Sequence, residues 1–271
     1  MECRGEKSRR VEEDVTLRWS EKEEGIIEAV IDRPGARNAI DLATMERLEA
    51  LIEELESSER VRVLTFQGAG SSFVAGGDLK EFDGLRSREE AAAMAGKMMG
   101  LLGRLEGLPI WTVAAINGDA YGGGCELSLA FDFRLLSGGA RMGFTQGRFV
   151  LSPGWGGLTR LVERVGRGRA LRWLATMELV EAEEALASGL VDQVVSAESF
   201  QEEVEAFGRR LARSPRSLIG ALKSGAQRAM ELPRNEAIEA ELEPFCDLWT
   251  AEEHYRAVEG FLERRRKKKD E

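Results

Sequence analysis

The chain has 271 residues, 43% hydrophobic and 32% charged, with a formal net charge of −10. That balance fits a globular protein with one sizeable core and excludes a general nucleic-acid binder, which needs clustered lysine and arginine. No apolar run nears the roughly 20 residues that cross a bilayer, residues 1–7 lack an apolar signal core, and Cys3, Cys125 and Cys246 are too scattered for a disulfide framework, so a cytoplasmic protein is expected.

Residues 14–20 and 25–32 have strand character and are joined by the polar turn Glu21-Lys22-Glu23-Glu24. Leu42, Met45, Leu48, Leu51, Ile52 and Leu55 recur at helical period, which predicts a helix over 42–58 with Asp41 as its N-cap. Residues 61–66 read as a strand. Ser87 can cap a long helix ending near Leu105, and the strand 111–116 follows Pro109. From Gly157 onward the pattern is helical, at 157–165, 167–176, 181–188, 197–213, 215–230 and 234–265, with the last expected to break near Glu243-Pro244. Only residues 190–195 look strand-like there.

Strands alternating with helices, then helices alone, predict an α/β core with a helical C-terminal extension. The expected division is a flexible N-terminus (1–11), a core (12–196), a helical part (197–265) and a charged tail (266–271). The basic run from Arg264 to Lys269 is read as a solvated tail. The lone histidine, His254, sits in the helical part and is expected to be structural or exposed, so neither a histidine-based triad nor a metal site is expected.

Two glycine-rich stretches stand out: Phe73-Val74-Ala75-Gly76-Gly77-Asp78-Leu79-Lys80 and Asp119-Ala120-Tyr121-Gly122-Gly123-Gly124-Cys125-Glu126. Each follows a predicted strand and opens a predicted helix. The first N–H groups of a helix lack intrahelical partners and carry the positive end of its dipole. Glycine lets a bound group approach them closely. Two such loops aimed at one point can hold an oxyanion, with Glu126 beside it to move a proton.

Further motifs are Arg33-Pro34 with Asn38-Ala39-Ile40, Gly68-Ala69-Gly70, Asp132-Phe133-Arg134, and Pro153-Gly154-Trp155-Gly156-Gly157 with Thr159-Arg160-Leu161. In order and spacing the set resembles the crotonase superfamily, the enoyl-CoA hydratase/isomerase family, over residues 12–265. The resemblance implies a spiral of ββα units and a helical C-terminal part that assembles homotrimers or homohexamers. Its ligand would be an acyl-CoA or acyl-carrier thioester, with no separate cofactor. By position it implies Gly77 and Gly123 as oxyanion-hole donors and Glu126 as a catalytic carboxylate. Arg37, Ala39, Ala75, Asp78, Leu79 and Lys80 would line the coenzyme A side, and Trp155 would wall the acyl pocket.

The second hydratase glutamate lies seven residues before the proline of the Pro-Gly motif, and Gln146 occupies that position. An amide cannot exchange a proton at neutral pH; it can only position water or a substrate oxygen. No Asp or Glu occurs between Asp132 and Glu163 to replace it. Thr145 and Arg148 are further polar candidates. An oxyanion hole with one acid suits decarboxylation of a malonyl-type thioester through an enolate. Asp132-Phe133-Arg134-Leu135-Leu136 and the Trp155-Gly156-Gly157 segment are similar to the ethylmalonyl- and methylmalonyl-CoA decarboxylase branch. A hydratase with one catalytic glutamate and a non-catalytic binding or scaffold member are the alternatives.

Overall fold

The computed structural model describes residues 15–270, with side chains to residue 267. The expected flexible N-terminus (1–11) and Cys3 therefore lie outside the described residues. So does the end of the charged tail.

Six strands form the main sheet: β1 (Leu17–Glu23), β2 (Ile26–Ile31), β3 (Val63–Gly68), β4 (Trp111–Ile116), β6 (Phe133–Ser137) and β9 (Gln193–Val195), in the order β1-β2-β3-β4-β6-β9. The β1–β2 pair is an antiparallel hairpin, and every later pairing is parallel. Parallel strands need crossovers and are covered on both faces, so they read as apolar runs. Alternate residues separate cleanly here. Leu64, Phe66, Ala114, Ile116 and Leu136 join the larger core, while Val63, Val113, Ala115 and Leu135 pack on the opposite face with Phe200 and Val204.

The crossover helices are α1 (Leu42–Ser57) between β2 and β3, α2 (Leu79–Phe82) and α3 (Arg88–Gly107) before β4, and α4 (Gly123–Leu129) before β6. Asp41 caps α1 as expected, accepting from the Thr44 N–H at 2.7 Å. Ser87 and Glu90 form a reciprocal capping box on α3. Helices α5 (Gly157–Val165), α6 (Arg167–Thr176) and α7 (Ala182–Ala187) precede β9; α8 (Phe200–Leu211) and α9 (Arg216–Glu231) follow it.

Two expectations need correction. A three-stranded sheet of β5 (Ala120–Tyr121), β7 (Met142–Gly143) and β8 (Leu179–Val180) was not anticipated, because two-residue strands carry no alternation to read. The last helical stretch divides into α10 (Arg234–Glu239), α11 (Leu242–Thr250) and α12 (Glu252–Asp270), so the breaks fall at 240–241 and 251. Pro244 lies in the first turn of α11. There its missing N–H interrupts nothing, since the first four donors of a helix have no intrahelical acceptor.

The segment between β2 and α1 holds the first glycine-rich loop in place. Asn38, fully buried with φ 58°, accepts from the Arg33 N–H (2.9 Å) and donates to the Ala69 and Ser72 carbonyls (2.9 and 2.8 Å). Arg33 adds ion pairs to Asp41 (2.8 Å) and Asp78 (2.9 Å). Among the described residues, no helix is long and apolar enough to cross a membrane.

Candidate functional site

The two loops meet. Gly124, at the start of α4, packs on the Val74 carbonyl so tightly that any β-carbon would overlap it, and the Tyr121 N–H donates to the same carbonyl at 3.0 Å. Ile40 pairs with Gly77 in a parallel bridge: the Ile40 N–H donates to the Gly76 carbonyl and the Asp78 N–H donates to the Ile40 carbonyl, each at 2.8 Å. That ladder uses the neighbours of Gly77, so its own N–H points away from Ile40. Gly123 is the first residue of α4, where the N–H has no intrahelical acceptor. Neither N–H has a partner among the described residues. Gly76 ties the pair together, since a β-carbon on it would stand 3.2 Å from the Gly123 nitrogen.

Aromatic rings lie against both glycines. A β-carbon on Gly123 would overlap the six-membered ring of Trp155, and one on Gly77 would come within 2.6 Å of the Phe82 ring and 3.5 Å of Trp155 Cζ2. Trp155 is only 5% exposed.

Glu126 is 2% exposed, and four donors reach its carboxylate. Oε1 accepts from Gln146 Nε2 (3.0 Å) and the Gly154 N–H (3.3 Å). Oε2 accepts from the N–H groups of Trp155 (2.8 Å) and Gly157 (2.9 Å). Gly157 opens α5, so the helix dipole also favours an anion here. Only glycine fits at 157, because a β-carbon would overlap the Glu126 side chain. The arrangement fixes the Gln146 amide: a carboxylate only accepts, so the NH2 must face it. Among the described residues the Gln146 carbonyl oxygen is then left buried and without a partner.

The remaining sequence candidates divide between exposed and internally engaged positions. Arg37, Leu79 and Lys80 are exposed. Arg37 has φ 51°, and its carbonyl accepts from the Ala75 N–H at 3.1 Å. Ala39 and Asp78 are engaged internally: Arg33 donates to the Ala39 carbonyl and to Asp78 Oδ2, while Asp78 Oδ1 accepts from the Lys80 N–H. Burial alone would raise the Asp78 carboxyl, but Arg33 and the Lys80 N–H outweigh it and hold Asp78 below its ordinary value. Thr145 is buried beside Gln146, whereas Arg148 is exposed.

Other groups near the loops are occupied elsewhere. Tyr121 donates its hydroxyl to Asp119 at 2.5 Å; burial and that bond both push the phenol up. Cys125 donates to the Ala120 carbonyl at 3.1 Å, and burial pushes its thiol up. His254 stacks near Trp249 in the C-terminal helices, with ring centres 4.8 Å apart. A cavity of about 1090 Å³ opens between α3, β4 and α9, but it is lined by Trp111, Asp132, Phe133 and Lys223 rather than by the loops. Lys223 is satisfied there by Asp132 (2.8 Å) and the Ile110 carbonyl (2.9 Å).

Sequence reasoning missed Arg33 as the clamp on the first loop, Phe82 as a wall, and Gly154 and Gly157 as donors to Glu126. The glycine pair of Pro153-Gly154-Trp155-Gly156-Gly157 ahead of a helical pattern was the available signal for the last of these.

The donor set yields a stability prediction. Glu126→Gln replaces one acceptor oxygen by an NH2 that faces N–H groups, leaving at least one buried donor unpaired. We expect a loss of about 2 kcal/mol or more in denaturant unfolding. An unchanged midpoint would mean that these hydrogen bonds do not hold the turn.

Residues 21–270 match the family model described as enoyl-CoA hydratase/isomerase. The short-chain-enoyl-CoA hydratase of Clostridium acetobutylicum is 32% identical over 252 residues, covering 91% of this chain and 94% of that protein. The ethylmalonyl-CoA decarboxylase of Xenopus tropicalis is 33% identical over 232 residues, covering 85% of this chain and 78% of that protein. Among solved structures, the enoyl-CoA hydratase of Bacillus anthracis superposes with a TM-score of 0.88 at 27% identity, covering 92% of this chain and 96% of that one. Together with the paired glycine-rich loops, these matches show that the chain belongs to the enoyl-CoA hydratase/isomerase family, the crotonase superfamily.

Proposed function

We propose that the chain is an acyl-CoA lyase that removes carbon dioxide from a malonyl-type thioester, of the methylmalonyl or ethylmalonyl kind. The thioester oxygen accepts from the Gly77 and Gly123 N–H groups. The bond from the α-carbon to the carboxylate breaks, its electron pair moves into the thioester as an enolate, and carbon dioxide leaves. Two preorganised donors stabilise that charge most where it is fully developed; one such donor is typically worth about 3–4 kcal/mol in the transition state.

The observation that carries this reading is the state of Glu126. Water addition needs carboxyl groups that exchange protons, yet Glu126 accepts four hydrogen bonds and its side-chain neighbour is the Gln146 amide. The same donors hold the Glu126 carboxyl turned toward Gln146 and the Gly154–Gly157 backbone. Through these bonds Glu126 orients Gln146 and the Trp155 turn. The α-carbon then takes its proton from water. Arg37, Leu79 and Lys80, exposed near the first loop, would face the coenzyme A portion, while Ala39, Ala75 and Asp78 hold that loop's shape.

One observation favours hydration instead. The unpartnered Gln146 carbonyl oxygen is an acceptor suited to a water or hydroxyl near the acyl group. The relatives include both activities.

Assembly is part of the proposal. Leu242, Phe245, Trp249 and Phe261 on α11 and α12 are each more than half exposed, an apolar face that a homotrimer or paired trimers would cover. Sedimentation should give a trimer or hexamer at micromolar concentration; a stable monomer would remove the claim.

Gln146→Glu separates the two reactions. It places a second carboxyl in contact with Glu126, where the two can share a proton, and sets a new charge against a malonyl-type carboxylate. We expect carbon dioxide release to fall and hydration of a short enoyl-CoA to rise. If the wild type hydrates enoyl-CoA briskly, releases no carbon dioxide and gains nothing from the substitution, the hydratase reading replaces ours.

A further inference from the structure

We infer that the site is built for a short acyl chain, with Trp155 and Phe82 as the residues that set the limit. The inference rests on the acyl-thioester reading of the two glycine donors. A thioester oxygen held by Gly77 and Gly123 places the carbonyl carbon, and the acyl carbons bonded to it, beside those residues. The flanking space is taken by two rings: Trp155 lies against Gly123 and reaches Gly77, and Phe82 lies against Gly77.

Both walls are braced. The Trp155 N–H is held by Glu126 (2.8 Å), and its carbonyl accepts from Arg160 (3.0 Å), which is itself paired with Glu106 (2.7 Å). These bonds fix the backbone from which the indole projects, and the ring itself is buried against Gly123. Phe82 closes α2, whose cap Asp78 is held by Arg33 at 2.9 Å, and its own N–H donates to the Asp78 carbonyl at 2.9 Å. The first acyl carbons gain contact with the two ring faces. Further methylenes must displace a ring or leave the apolar wall.

Binding of unreactive saturated thioesters reads this directly and does not depend on which reaction is catalysed. In an open apolar groove each added methylene strengthens binding by about 4-fold. Calorimetry with acetyl-, butyryl-, hexanoyl- and octanoyl-CoA should show affinity rising to butyryl and then levelling or falling. Trp155→Ala should restore a gain of about 4-fold per methylene beyond butyryl. Phe82→Ala, at the partly exposed end of a short helix, should shift the profile in the same direction even if the Trp155 variant does not fold. A wild-type affinity that climbs steadily through octanoyl would overturn the inference. So would an unchanged profile in both variants when circular dichroism shows them folded. Failure of every thioester to bind would overturn the acyl-thioester reading and this inference with it.

Discussion

The site depends on one buried carboxylate. Glu126 draws together α4, which carries it, the segment bearing Gln146, and the turn from Gly154 to Gly157 that opens α5. A buried charge is tolerated only when its lone pairs are matched, and here the matching comes from three backbone donors and one amide. The consequence is geometric. The Trp155 N–H is held by Glu126, and the indole that projects from this turn lies against Gly123.

A second constraint acts through the backbone. The Gly77 N–H is turned outward because its neighbours, and not Gly77, complete the bridge to Ile40, while the Gly123 N–H is unpaired because it begins a helix. Two different rules of secondary structure thus leave two unpartnered donors in adjoining loops. The chain brings them together by packing the α carbon of Gly124 on the Val74 carbonyl, and Arg33 and Asn38 lock the first loop from behind. In the proposed reaction such donors would need no reorganisation as charge develops on the thioester oxygen.

Much of the fold was legible because local pattern and tertiary burial agree. The strand at Trp111–Ile116 and the helices at Gly157–Val165 and Arg167–Thr176 fall where the sequence pattern places them. Parallel strands buried on both faces are apolar throughout, and β4 shows it. The small sheet escaped notice because each strand spans two residues, and the break expected near Glu243-Pro244 falls just ahead of it, with Pro244 in the first turn of the next helix.

Within the site, the glycine-rich loops were visible because glycine clusters after apolar runs mark close backbone approach. The backbone partners of Glu126 were not visible, since they lie 28 to 31 residues along the chain and are N–H groups carrying no side-chain signature. Phe82 was equally hidden, because its significance comes from facing Gly77 and not from any spacing in the sequence. The cavity lined by Lys223 shows the converse: a large hollow with a buried lysine whose hydrogen bonds are already made internally.

The central claim is that the Gly77 and Gly123 N–H groups both hold the thioester oxygen. Infrared difference spectroscopy of bound butyryl-CoA, carrying a carbon-13 label at the thioester carbonyl, tests it most directly. The account predicts that the labelled carbonyl stretch moves to lower frequency on binding, as two donors polarise the bond. A carbonyl that binds without any downward shift would contradict it.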